Sequence, residues 1–334
     1  MVGLRCSEKC FAADDSQFAL FFERSMKDSQ PLVSIGMPVY NGEPFLRGAL
    51  DSLLAQDYEN FELIISDNGS VDATPEICQE YLIKDRRIRY HRNTSNLGQT
   101  SNFLRVLELG NGQYFMWAAH DDLWESSFIT KLMAPFLNHD DVVLACCDFD
   151  IIYHFSGKTE SHTPLVSPLS AKNSVFENAI WMITVPISNF FYGIYATETL
   201  RTSRFIRLAK PYDFSDLLLL NEISLTGKVH FVPELLFHSG VRDEVRLPIS
   251  FAKRRLPKFK FAYKMYYIEG LKCIAHAKRI KPMQKLYLMH VLTNQVLELI
   301  SHHEPLPEIF RTTIRAERHC STRVADRLIS LFGG

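Results

Sequence analysis

From Pro31 onward the chain alternates short, mostly apolar runs with stretches of helical period, each separated by polar residues. Leu32 to Met37 reads as a buried strand, and Pro44 to Gln56 as a helix with proline in its first turn. Phe61 to Ser66 reads as a second strand; Thr74 as an N-cap with Pro75 behind it opens a helix to Lys84. Ile88 to His91 is a third short strand, and Gln99 to Leu109 an amphipathic helix stopped by Gly110. Tyr114 to Ala118 is the fourth strand, Ser127 to Asn138 a helix and Val142 to Phe149 a fifth strand. Strands alternating with helices predict an α/β fold, a mostly parallel central sheet with helices on both faces.

Beyond Asp150 the pattern weakens. Ser156 to Asn173 is polar, a surface loop or hairpin; Phe176 to Ile183 has helical period and Asn189 to Ala196 reads as a strand. Ser215 to Leu225 is expected as a helix closed by Gly227, followed by a strand over Lys228 to Phe231. Helical period dominates from Phe251 to Ser301, with a break at Pro282. The expected divisions are an arm over 1–30, a catalytic domain over 31–245 with halves 31–150 and 151–245, and a basic helical region over 246–334.

Bulk composition alters this picture little. The chain has 334 residues with 46% hydrophobic and 22% charged residues, ordinary for a globular protein. No apolar run reaches the ~18 residues of a membrane span, and no secretory leader pattern opens the sequence. Seven scattered cysteines without C-x-x-C spacing suit reduced thiols, so a cytoplasmic location is expected.

Charge changes the picture more. Arg246 to Lys285 holds twelve lysines and arginines against the single acid Glu269, while the front of the chain is acidic. Interleaved aromatics such as Phe259, Phe261, Tyr263, Tyr266 and Tyr267 give this stretch the composition of an interfacial helix. Peripheral attachment to an anionic membrane face is therefore expected; a solvated helical face has a similar composition. No nucleic-acid module accompanies the patch, so no nucleic-acid partner is expected.

The candidate chemistry gathers at four successive strand ends. Pro38-Val39-Tyr40-Asn41-Gly42 follows the first, and Ser66-Asp67-Asn68-Gly69-Ser70-Val71-Asp72 the second. Asn93-Thr94-Ser95-Asn96-Leu97-Gly98 follows the third, and Asp121-Asp122 the fourth. Adjacent carboxylates repel unless a cation or hydroxyls use them, and hard oxygen donors suit a divalent ion that also grips a phosphate. Any one loop alone would pass as an ordinary strand-to-helix turn or a capping segment. The sequence lacks the G-x-G-x-x-G fingerprint, the G-x-x-x-x-G-K-[ST] loop and the G-x-S-x-G elbow, which removes dinucleotide, P-loop and α/β-hydrolase chemistry.

The succession PVYN, SDNGSVD, N-x-G and DD resembles the family 2 glycosyltransferases, strongly over Val33 to Asp150 and faintly to about Arg242. The resemblance implies the Rossmann-like, A-type glycosyltransferase fold and a metal-dependent, inverting transfer from a nucleotide-diphosphate sugar. A UDP-sugar is the first candidate donor; the acceptor would be a carbohydrate or lipid-linked molecule in cell-surface polysaccharide synthesis. It implies nucleotide-sugar contacts at Pro38, Tyr40, Asn41, Asp67, Asn96, Gly98, Asp121 and Arg242. Tyr40 would stack on the base and Asp67 hydrogen-bond it. Asp122 would hold Mn²⁺ or Mg²⁺ and Asp121 the ribose, with the reverse split open. Asp216 would be the catalytic base, with Asp213 as runner-up, and His238 with Arg242 would sit in a basic loop over the diphosphate. Ala119 stands where the commoner D-x-D-D form has its first Asp. That departure leaves room for a nucleotide-sugar-binding protein without turnover. A sugar nucleotidyltransferase is a third reading, although the first turn lacks its glycine-rich loop.

Overall fold

The computed structural model describes residues 30–154, 156–161, 169–185, 187–204, 206, 215–241 and 266–301. The expected arm over 1–30 lies outside them except for Gln30, as does most of the basic stretch over 246–265.

The first half follows the predicted alternation. It runs β1 (Val33–Val39), α1 (Leu46–Leu54), β2 (Phe61–Asp67), α2 (Thr74–Lys84), β3 (Ile88–Arg92), α3 (Gln99–Leu109) and β4 (Tyr114–Trp117). Then come β5 (Leu123–Trp124), α4 (Phe128–Asn138), β6 (Val142–Tyr153) and β7 (Thr159–Ser161). The remainder holds α5 (Val175–Thr184), a 3-10 turn (Ser188–Tyr192), β8 (Ile194–Ala196), α6 (Thr197–Thr202), α7 (Ser215–Ser224) and β9 (Lys228–Val241). Two helices close the described chain, α8 over residues 266–276 and α9 (Pro282–Ser301).

The strands form one sheet in the order β3-β2-β1-β4-β8-β6-β9-β5, with β7 paired to β6. The β3-β2-β1-β4 half is parallel, and β6 and β9 are parallel to each other; β8, β5 and β7 join antiparallel. Every residue of β1 is buried, because helices cover both faces and leave no side for polar alternation. One core layer joins β1, β2 and β4 to α1, α2 and α4, with Ile35, Leu50, Leu63 and Leu132 at its centre. A second layer, around Phe115, Trp117, Tyr195 and Leu219, fills the opposite face. A third packs α8 and α9 onto α5 and α7 through Ile183, Leu218, Leu288 and Leu292.

Several expectations need correction. Ala73, not Thr74, holds the cap position of α2 and makes no side-chain bond there, while Asp72 Oδ1 accepts the Thr74 N–H at 3.1 Å. Thr74 Oγ1 instead accepts the N–H of Gly42, tying this helix to the first loop at 2.8 Å. The aromatic run Ser188–Tyr192 winds into a 3-10 turn, leaving only Ile194–Ala196 as strand. The strand expected over Lys228 to Phe231 runs fourteen residues, to Val241. Gly227 serves less to end α7 than to let the chain pass: a Cβ there would lie 2.8 Å from the Asp141 carbonyl.

Candidate active site

The carboxyl ends of β1, β2, β3 and β4 lie side by side, so the four polar loops meet along one edge of the sheet. Backbone-to-side-chain bonds lock the first two together. Asn41 donates its N–H to Ser70 Oγ at 2.9 Å and accepts the Val71 N–H on Oδ1 at 3.0 Å. Asn41 sits at φ 51°, a left-handed position that asparagine tolerates through such local bonding. Pro38 is buried within β1, in register with Ser66, so it sets the loop's exit rather than facing the edge. The Tyr40 ring stands above this edge, 44% exposed.

Asp67 is fully buried. Its Oδ1 accepts the Ser70 N–H at 2.8 Å, and its Oδ2 accepts the Tyr90 hydroxyl at 2.8 Å and faces Arg92 Nε at 3.4 Å. It organises the second loop from beneath. Asn68 braces the third: its Oδ1 accepts the Leu97 N–H and the Asn93 amide, while its Nδ2 donates to Asn96 Oδ1. Asn96 Oδ1 also accepts the Gly98 N–H at 2.8 Å. Gly98 starts α3 at φ 85°, a conformation open to glycine alone, with nothing within 4 Å of a would-be Cβ.

The acidic pair is divided in its surroundings. Asp121 is half-buried, whereas Asp122 is 2% exposed. Asp122 Oδ1 accepts the Gly240 N–H at 2.8 Å; its Oδ2 is buried with no hydrogen-bond partner. Burial first, then the Asp121 charge, push the Asp122 carboxyl well above the ordinary carboxylate range, and the Gly240 N–H opposes them. The Asp121 carbonyl in turn lies 2.7 Å from His154 Nε2, whose ring stacks on Phe45 at 4.1 Å.

Asp216 occupies the first turn of α7, and burial raises its carboxyl too, against the Leu217 N–H. Burial raises the Tyr192 phenol, and the charges of Asp122, Asp121 and Asp216 raise it further. Asp213 and Arg242 lie outside the described residues. His238 is not in a loop: it stands in β9, opposite Leu123 of β5, with Nδ1 2.6 Å from Asp150 and Nε2 3.0 Å from Glu125. Both ring nitrogens are therefore engaged by carboxylates rather than open to a phosphate. Trp117 and Trp124 are buried in the core, not presented as sugar platforms.

Sequence reading missed Gly240, His154 and Tyr192. Only Gly240 carried a signal, a glycine in a polar stretch 118 positions beyond the acid it holds. Among the described residues no group of three His, Cys, Asp or Glu side chains is placed to hold a metal alone. The orphaned Asp122 oxygen and the hard carboxylate donors fit a divalent ion that takes most of its remaining ligands from a diphosphate.

Residues 34–196 match the family described as Glycosyl transferase family 2. A putative glycosyltransferase, EpsH of Bacillus subtilis, is 32% identical over 130 residues, 39% of this chain and 37% of that protein. An uncharacterized glycosyltransferase of Rickettsia typhi is 36% identical over 118 residues, 35% of this chain and 36% of the relative. The chain thus spans about a third of the length of these curated relatives. Among solved structures, residues 1–349 of S. aureus TarS superpose with a TM-score of 0.63 at 16% identity, covering 82% of this chain and 73% of that one. The same protein has been solved with UDP-GlcNAc. A mannosyltransferase from Pyrobaculum calidifontis, solved with GDP-Man and Mn²⁺, superposes at 0.51 and 15% identity, covering 93% and 88%. These likenesses show the A-type glycosyltransferase fold.

Proposed function

We propose, from the match of residues 34–196 to glycosyl transferase family 2, that the chain is an inverting glycosyltransferase using a nucleotide-diphosphate sugar. The observation that carries this reading is the acidic pair itself, with the buried Asp122 Oδ2 left without a partner beside the more accessible Asp121, at a sheet edge without a glycine-rich phosphate cradle. Donors bound in fold neighbours, UDP-GlcNAc and GDP-Man, support a nucleotide sugar, with a UDP-sugar as first candidate.

Tyr40 stacks on the base, while Asp67, Asn41, Asn68, Asn96 and Gly98 fix the loops that receive the nucleoside. Arg242, one residue past β9, meets the diphosphate. Asp122, through its unpartnered Oδ2, and the more accessible Asp121 would together hold a divalent ion beside the donor diphosphate. A bound Mn²⁺ or Mg²⁺ supplies charge neutralisation for the leaving diphosphate. Asp216 takes the proton of the acceptor hydroxyl as its oxygen bonds the anomeric carbon. The bond from that carbon to the diphosphate breaks in the same displacement, and the diphosphate leaves with its electron pair. A raised carboxyl serves this role, because a base closer to neutral pH is more effective while still ionised.

The acceptor is a carbohydrate or a lipid-linked sugar. The strongly basic stretch over 246–285 favours work at an anionic membrane face, as in cell-surface polysaccharide synthesis. Incubating the full chain with a panel of nucleotide sugars and Mn²⁺ tests the reading: release of nucleoside diphosphate is expected. Binding without release supports a carrier protein. Release of pyrophosphate from a nucleoside triphosphate and a sugar phosphate supports a nucleotidyltransferase.

A further inference from the structure

Helices α8 and α9 form an antiparallel hairpin. The Tyr266 hydroxyl donates to Gln295 Oε1 at 3.1 Å, the Tyr267 hydroxyl lies 3.1 Å from Thr293 Oγ1, and Gly270 packs so closely on Leu292 that a Cβ would come within 2.7 Å. The open end is tied to α7, the helix that bears Asp216: Asn221 donates to the Tyr266 hydroxyl at 2.7 Å. The closed end, residues 277–282, lies about 15 Å further out by helical rise.

That closed end has an unusual surface. Between Gly270 and Val296 stand Lys272, Lys278, Arg279, Lys281 and Lys285, without one carboxylate. Lys272 is held by Glu269, and Lys285 Nζ by the Ala275 carbonyl. Lys278 and Arg279 are exposed and make no ion pair among the described residues. Beside them Met283 and Leu286, three apart on one face of α9, are 61% and 60% exposed. The helix does not lack a core, since Gln284, Leu288 and Leu292 turn inward.

We propose that this tip docks on an anionic lipid bilayer. Met283 and Leu286 enter the boundary between headgroups and acyl chains, while the surrounding cations meet the headgroup charge. A nucleic acid would engage the cations but offers no place for two thrust-out apolar side chains. The hairpin then acts as a stand-off, setting the distance between the bilayer and the helix that bears Asp216. This deepens the reading above, resting on it for the lipid-linked acceptor but not for the docking itself.

Co-sedimentation of the full chain with vesicles tests it, using phosphatidylcholine alone against phosphatidylcholine mixed with phosphatidylglycerol. The chain is expected to partition onto the mixed vesicles and not the neutral ones. Met283→Asp with Leu286→Asp, and separately Lys278→Glu with Arg279→Glu, should each lower that partition at least about tenfold. Thermal unfolding and UDP affinity should stay unchanged in both. Wild-type partition in either folded tip variant overturns the proposal, as does no partition by the parent chain, or displacement from vesicles by an RNA duplex. Lys253→Glu with Arg254→Glu and Arg255→Glu reports the share carried by the neighbouring basic stretch. Calorimetry with UDP on the same samples separates the readings: absent UDP binding with vesicle partition intact would sink the donor assignment and leave the docking surface standing.

Discussion

Gly240 touches Asp121 so closely that no other residue fits between them. A Cβ at Gly240 would lie 1.8 Å from the Asp121 carbonyl oxygen and 2.3 Å from His154 Nε2. The same residue donates its N–H to Asp122. One glycine of β9 therefore sets the backbone of the acidic turn and supports its buried side chain.

Gly240→Ala should push the turn off β9, costing about 1–3 kcal/mol of stability. Metal-dependent UDP affinity should fall with it. Thermal unfolding and calorimetry with and without a chelator check both. A variant with normal stability and normal Mn²⁺-dependent affinity would show that the turn tolerates displacement.

Asp122→Asn keeps an oxygen for the Gly240 N–H and removes a buried charge. Burial raises the folded carboxyl above its unfolded value, so the wild type loses stability as pH rises through that interval. The metal-free variant should therefore be more stable than the parent at neutral pH, by roughly 1 kcal/mol or more. That advantage should shrink as pH falls and vanish below the ordinary carboxylate range, where the parent carboxyl is neutral in both states. Unfolding curves across a pH series measure it; a difference that does not change with pH would mean that the Asp122 carboxyl titrates alike in the folded and unfolded chain, and would sink the prediction.

Asp216→Asn should lower turnover about 10²–10⁴-fold while UDP affinity stays within error. Near-normal turnover would move the base elsewhere, with Asp213 next to be tried.

Tyr40→Ala should weaken nucleotide binding by about 1–3 kcal/mol, the usual worth of a base stacked on an aromatic ring. The loss should show in UDP affinity and donor KM more than in kcat. Asp67→Ala should also weaken donor binding, by freeing Ser70, Tyr90 and Arg92 together.

The early strands were legible because β1, β2 and β4 are almost wholly buried and all four end in an abrupt polar loop. β1, β2, β3 and β4 begin and end within two residues of the expected positions. β9 was not, since exposed Pro233, Glu234 and Leu235 interrupt its apolar run near two register shifts against β6. The Ser188–Tyr192 turn misled for the opposite reason, its aromatic density imitating a strand. Single loops announced Tyr40 and the acidic pair. The clamp from Gly240 and His154 came only with the fold, because nothing local relates a glycine near the end of one strand to an acid 118 positions earlier.

Helix α7 carries Asp216 on a support of its own. It is anchored on two sides, by Leu219, Leu220 and Ile223 in the sheet's second core layer and by Leu218 in the layer built from the hairpin. The family-matched stretch over 34–196 ends before it. Trimming the chain to that stretch would keep the four polar loops and discard Asp216, the proposed base, together with its support. Under the proposed assignment, α7 and the hairpin lie beyond the family-matched stretch, so sequence change there leaves the four polar loops untouched.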